Sequence, residues 1–195
     1  MPFEPRNPSA RLLALSVALL TGSVRAETTA EPPGRKGVGI SLSFLGENLT
    51  HPGVVAGVEY RLLAPRPGHE LLVRAFLGAY LHPSLYWALL AGGELSYRLT
   101  AGFGLCAELT GGLGYLHTTV ASPVYELGSD GQVAAVTDWG RPAFMPSASL
   151  GIGWDFRDVG LPLRFMLRPQ VFWQYPYNTH ALTHVALLVG VTYSL

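Results

Sequence analysis

The stretch "THVALLVGVTYSL" (Thr183–Leu195) sets Val185, Leu187, Val189, Val191, Tyr193 and Leu195 on every second position. A period of two places all six on one face of a β-strand. That face is wholly apolar. The opposite face, with His184, Ala186, Leu188, Gly190, Thr192 and Ser194, is smaller and more polar. Working outward from this end, the question is what covers such a face.

Seven earlier segments repeat the pattern. In "GVGISLSFL" (37–45), Val38, Ile40, Leu42 and Phe44 share a face. In "GVVAGVEYRLL" (53–63), Val54, Ala56, Val58, Tyr60 and Leu62 oppose Glu59 and Arg61. "ELLVRAFLGAYLH" (70–82) sets Leu71, Val73, Ala75, Leu77, Ala79 and Leu81 against Arg74, and "YWALLAGGELSYRL" (86–99) sets Trp87, Leu89, Leu95, Tyr97 and Leu99 against Glu94 and Arg98. "LCAELTGGLGY" (105–115) opposes Leu105, Leu109, Leu113 and Tyr115 to Glu108. In "FMPSASLGIGWDFR" (144–157) Phe144, Leu150, Ile152, Trp154 and Phe156 oppose Asp155 and Arg157, and in "LPLRFMLRPQVFWQY" (161–175) Phe165, Leu167, Val171, Trp173 and Tyr175 oppose Arg164, Arg168, Gln170 and Gln174.

No apolar face carries a charge. A soluble sandwich alternates too, but its polar face meets water and carries many charges. Here only 13% of residues are charged although 49% are hydrophobic, and the formal net charge is zero. That balance leaves no basic footprint for nucleic acid. No stretch of the expected mature chain is apolar over the ~20 residues of a membrane helix. A hydrophobic chain without spanning helices, alternating throughout, is expected to be all-β: an eight-stranded antiparallel transmembrane β-barrel, an up-and-down meander whose outside faces lipid. The competing reading turns the same alternation inside out, as a periplasmic barrel with an apolar, lipid-binding interior.

The N-terminus reads as a secretory signal. Arg6 and Arg11 precede the apolar run Leu12–Leu20, and Val24 and Ala26 give the small-residue spacing of a cleavage site. Residues 1–26 are expected to be removed, 27–35 to form a flexible periplasmic leader, and 36–195 to form the barrel. The single cysteine, Cys106, can make no intrachain disulfide.

With the first strand running outward, the periplasmic connections (64–69, 100–104, 158–160) are short. The outward loops are 46–53, 82–85, the long 117–142, and 176–180; "GSDGQ" (128–132) within the long loop is a hairpin turn signal. The same topology gathers the lipid-facing aromatics into two girdles: Trp87, Tyr115, Phe144, Trp173 and Tyr175 outside, and Tyr60, Tyr97, Trp154, Phe156 and Tyr193 inside. Pro146 and Pro169 fall within strands, where each removes a ladder hydrogen bond, so a bulge or strand end is expected beside each.

In these respects the chain resembles the small eight-stranded outer-membrane barrels of Gram-negative bacteria. The resemblance implies residence in the outer membrane as a monomer, with outer-membrane lipid, periplasmic chaperones and the barrel-insertion machinery as partners. The final strand of that family usually ends in an aromatic residue; Tyr193, Val191, Val189 and Leu187 match its pattern, and Leu195 replaces the aromatic.

Two constellations are candidates for chemistry. Glu59, Arg61, Arg74, Glu94, Arg98, Glu108, Asp155, Arg157, Arg164 and Arg168 point inward, into a bore just wide enough to be filled by side chains, and are expected to pair. His51, His82, His117 and His180 fall at outward loops, with His184 inward below His180; imidazoles at one rim can bind a metal or act as a base. There is no HExxH or CxxC spacing, and no cofactor is expected. Some barrels of this class act on lipid A. The deacylase family's His-x-Ser pair is matched only by His82-Pro83-Ser84, and the palmitoyltransferase family's loop His, Asp and Ser only by the residue types of His117, Ser122, Ser129, Asp130 and Asp138. The function expected is therefore a filled barrel with surface loops in a structural, adhesion or ligand-contact role, the alternatives being a narrow porin-like channel and a lipid A-modifying enzyme. Intact mass of the protein recovered from cell envelopes should correspond to a chain beginning at Glu27; retention of residues 1–26 would refute the cleavage site.

Overall fold

The computed structural model describes residues 37–83, 85–128, 131–178 and 180–195. The expected signal, the leader and Lys36 lie outside the described residues. Eight strands close into one barrel: β1 (Val38–Glu47), β2 (His51–Arg66), β3 (His69–His82), β4 (Tyr86–Thr100), β5 (Leu105–Val120), β8 (Arg141–Asp155), β9 (Leu163–Tyr177) and β10 (His180–Ser194). Each pairs antiparallel with its neighbour in sequence, and β1 closes on β10 from Gly39↔Ser194 to Glu47↔Ala186. Within the long connection, β6 (Val124–Leu127) and β7 (Val133–Val136) form a separate hairpin, with Gly131 at φ 77° in its turn. A 3₁₀ turn, Phe156–Val159, leads into β9. The start of β1 and the end of β10 lie at the end with the short turns, the periplasmic end of such a barrel, and the long loop at the other.

The period of two maps onto the wall as expected. Ile40, Leu42, Phe44, Val58, Leu77, Leu109, Leu150 and Val191 are exposed on the outside, while Glu59, Arg74, Glu94, Arg98, Glu108, Arg164 and Arg168 are buried within. Charge inside and hydrocarbon outside exclude the inside-out reading. The girdle residues Trp87, Tyr115, Phe144, Tyr175, Tyr60, Tyr97, Trp154 and Tyr193 are all exposed, and Trp173 is half-buried; Phe156 begins the 3₁₀ turn rather than ending a strand.

Three expectations change. The strands are longer than their apolar alternation, so the turns shrink to 48–50, 67–68 and 83–85 and the long loop to 121–140; backbone pairing in a closed wall continues where side-chain patterning has stopped. The inner face is not polar throughout: Leu45, Leu90, Leu116, Met145, Phe172 and Leu188 fill its outer half, with Ala88, Ala143 and Ala186 between them. Inward glycines make the space. A Cβ at Gly92 would lie 2.8 Å from the Phe76 ring, and one at Gly114 2.8 Å from Met145 Cε.

The prolines cause neither a bulge nor a strand end. Pro146 pairs normally with Leu113 of β5, and Pro169 with Leu187 of β10. Both instead interrupt the β8–β9 seam, where pairing passes from Phe144↔Tyr175 to Ser147↔Phe172 and from Ser149↔Gln170 to Ile152↔Leu167 without a change of register. Each leaves a carbonyl across that seam without its amide donor. Restoring one donor with Pro169→Val should raise the temperature at which the folded band converts to the unfolded band on SDS gels, reflecting about 1 kcal/mol. An unchanged or lowered midpoint would show that the missing donor does not weaken the seam.

Candidate functional site

The inward charges are organised by register. Glu59 of β2 faces Arg74 of β3, which faces Glu94 of β4; two pleats nearer the periplasm, Glu70 of β3 faces Arg98 of β4, which faces Glu108 of β5. Charge therefore alternates in sign around the wall as well as across the bore. Arg74 donates to Glu94 at 2.8 Å and to Glu59 at 3.1 Å; Arg98 Nε donates to Glu108 at 2.8 Å and its Nη2 to Glu59 at 3.1 Å. From the far wall Arg164 reaches Glu59 at 2.9 Å and Asp155 at 3.1 Å, and Arg168 reaches Glu94 at 3.0 and 3.1 Å. Arg157, on the 3₁₀ turn, binds Asp155, and Arg61 binds Glu70 at 3.3 Å. Glu70 was not among the expected members because it begins its strand beside a turn; its even parity with Arg74 was the available signal.

Above the charges lies a cavity of about 40 Å³, enough for a water or two, whose wall includes Arg74, Glu94, Arg168, Gln170, Phe76 and Met166. Among the described residues Arg74 Nε has no hydrogen-bond partner. The apolar layer of Leu45, Leu90, Leu116, Met145, Phe172 and Leu188 closes the bore over it, with Leu116 0% and Leu45 1% exposed.

At the outer rim a second polar group tops this layer. Glu47, fully buried at the end of β1, contacts the His51 imidazole and accepts from His184 Nδ1 at 2.8 Å. His184 stacks on Phe172 with centroids 4.6 Å apart and planes 3° apart. His51 lies against His82 at 3.8 Å, and His82 against Tyr86 at 5.1 Å. Tyr80 is buried beside Tyr86.

Of the five rim histidines, the structure thus gathers His51, His82 and His184. His180 does not stand above His184: a register shift between His180 and Leu182 turns it outward, where it is exposed. His117 instead meets the Tyr115 hydroxyl at 2.9 Å. Glu47, which the alternation leaves in the 46–53 loop, ends β1 instead and brings Tyr80 and Tyr86 into the cluster's surroundings.

Of the residues considered for lipid A chemistry, His117 and Asp138 lie near one another at the base of the long loop. Ser84, Ser129 and Asp130 lie outside the described residues. Asp138 instead clamps the stem of the long loop, accepting from the backbone amides of Val120 and Gly140 at 3.1 Å each. Those two bonds hold its carboxyl below the usual carboxylate range. The clamp is complete above the ordinary carboxylate pKa and is lost as pH falls through the lowered value.

No protein-family model matches the chain, and no curated protein matches its sequence. Among solved structures it is similar to Neisserial surface protein A (NspA), at TM-score 0.57 and 14% identity over 83% of this chain and 99% of that one. It is also similar to the outer membrane enzyme PagL, at TM-score 0.50 and 10% identity over 80% and 99% of the two chains. The N-terminal β-barrel domain of Pseudomonas aeruginosa OprF aligns at TM-score 0.48 and 15% identity over 82% and 100%. The fold is that of the small eight-stranded outer-membrane barrels.

Removing one partner from the inner network leaves several charges buried and unpaired. Arg98→Leu should lower stability by about 3–5 kcal/mol in urea unfolding of the refolded barrel in lipid vesicles. A loss below about 1 kcal/mol would mean that water reaches and screens these groups.

Proposed function

We propose that this protein is a closed outer-membrane barrel whose work is done at its outer face and not through its bore. One observation carries the reading: two successive layers, the ion-pair network and the apolar layer above it, block the interior. A continuous aqueous path would need to pass Leu45, Leu116 and Phe172, all within 1% of full burial. The surface available for contact is the 121–140 connection, whose hairpin presents Tyr125, Leu127 and Val133 on one exposed face, with Trp139 beside it. Long loops on a rigid scaffold are where recognition is usually built. This supports a structural, adhesion or ligand-contact role. The reading includes outer-membrane lipid around the wall, delivery by periplasmic chaperones, insertion by the barrel-assembly machinery, and a monomer, since every barrel strand already has two neighbours.

Planar-bilayer recording of the refolded mature chain tests it. The expected result is no steady unitary current at moderate voltage. Reproducible unitary steps that scale with salt would overturn the closed-bore reading in favour of a narrow channel.

A further inference from the structure

At the periplasmic mouth the inner network ends in an arrangement that simple pairing does not explain. Four guanidiniums converge on the Glu70 carboxylate, two on each oxygen. Arg61 Nη1 at 3.3 Å and Arg157 Nη2 at 3.8 Å meet Oε1, and Arg98 Nη1 at 3.4 Å and Arg164 Nη2 at 3.9 Å meet Oε2. All four are longer than the roughly 2.7–2.9 Å of a strong charge-assisted bond. The same five side chains border a cavity of about 30 Å³.

That cavity opens toward the periplasm. The Arg61 and Arg157 side chains are 20% and 23% exposed, against 1% for Arg98 and 3% for Arg164. Gly37 borders the same space, and a Cβ there would lie 3.3 Å from Arg61 Nε, so the bare backbone leaves that guanidinium its room. The cations are held in place from behind: Arg157 by Asp155 at 2.7 Å, Arg98 by Glu108 at 2.6 Å and Arg164 by Glu59 at 2.9 Å. Among the described residues the network pairs these four arginines, Arg74 and Arg168 with Glu59, Glu70, Glu94, Glu108 and Asp155, six cations against five carboxylates. An anion arriving at the mouth therefore meets an excess of positive charge.

We propose that the periplasmic mouth binds a phosphate group between Arg61 and Arg157, with Arg98 and Arg164 behind them. Guanidinium forks match phosphate oxygens and carry more donors than one carboxylate can take. Four converging cations favour a phosphate monoester, with close to two negative charges and three acceptor oxygens, over a carboxylate. Its oxygens enter beside Glu70, and the arginines exchange long contacts to that carboxylate for short ones to the ligand. The rest of the ligand stays outside, so free phosphate and a lipid headgroup present the same chemistry to the site. The site lies at the opposite end of the barrel from the 121–140 connection and needs no path through the bore.

The test is titration of the refolded mature chain in uncharged maltoside micelles with inorganic phosphate, followed by NMR of the arginine side-chain Nε–H groups, with chloride at matched ionic strength as the control. The expected result is one saturable site, with shifts at Arg61 and Arg157 and none at Arg141, which begins β8 at the opposite end. Arg61→Gln and Arg157→Gln should each weaken binding about tenfold. Glu70→Gln removes the competing carboxylate and should tighten binding by a similar factor, a gain that a purely structural role for these residues does not produce. A response to phosphatidic acid in phosphate-free buffer assigns the ligand to a lipid headgroup, and a response to free phosphate alone assigns it to the soluble ion. The heat-dependent gel shift checks that each variant is folded. Absence of saturable phosphate binding to the folded wild type, or binding unchanged in a folded variant carrying both arginine substitutions, would overturn the proposal.

Discussion

Inside a bilayer every backbone amide and carbonyl must find its partner within the protein, and for a chain of strands the only complete solution is closure. Much of this molecule follows from that constraint. Closing eight strands leaves a bore about as wide as the side chains that fill it, so any charge placed inward is removed from bulk water and must be paired. The alternation of Glu59, Arg74 and Glu94 across β2, β3 and β4 answers that demand with neighbours in the wall. Buried ion pairs are weak contributors to net stability, because desolvation offsets most of the attraction. Their clearer effect here is on register. A one-residue slip between β3 and β4 sends the charges into lipid, and a two-residue slip sets Arg74 against Gly92 or Ser96 and leaves Glu94 without its cross-strand cation.

The interior is divided by chemistry along its axis. The periplasmic half is an electrostatic lattice in which most arginines touch more than one carboxylate. The outer half is packed like a soluble core, with small residues at Ala88, Ala143 and Ala186 accommodating Phe172, Leu116 and Met145. Glu47 and its histidines then return polarity to the mouth. This order puts the dry layer between two polar ones. The dry layer thus separates the outer cluster from the inner lattice.

Much of this was legible because parity is robust. Once Val185 to Leu195 had one face, the same count placed Glu59, Arg98, Glu108 and Arg164 inside without knowledge of any contact. Parity says less where both faces are apolar, as in "SFLG", "ALLA", "GYLH" and "ALLV": the count puts Leu188 on the inner face, but nothing in the sequence marks Leu45, Leu90, Leu116 and Leu188 as one dry layer at one height. Parity fails at irregularities, since the shift near His180 parts it from His184. And it stops where patterning stops, which is why Glu47, at the end of a strand that outruns its alternation, was taken for a loop residue. The prolines violated a rule of strand interiors, but the sequence did not disclose that both vacancies fall on one seam.

The seam that completes the ring joins the first strand to the last, and the inner lattice scarcely involves it. Between Gly39 and Ser43 on β1, and between Gly190 and Ser194 on β10, the inward side chains are hydrogen, hydroxymethyl or threonine. The carboxylates and guanidiniums stand on β2 to β5, β8, β9 and the 3₁₀ turn, and the pair Arg164–Glu59 spans the two strands that flank that junction. Along the junction itself the wall is held by backbone pairing and by the buried contact of Glu47 with His184 at its outer end. The β1–β10 seam is thus the stretch of wall whose cohesion owes least to charge.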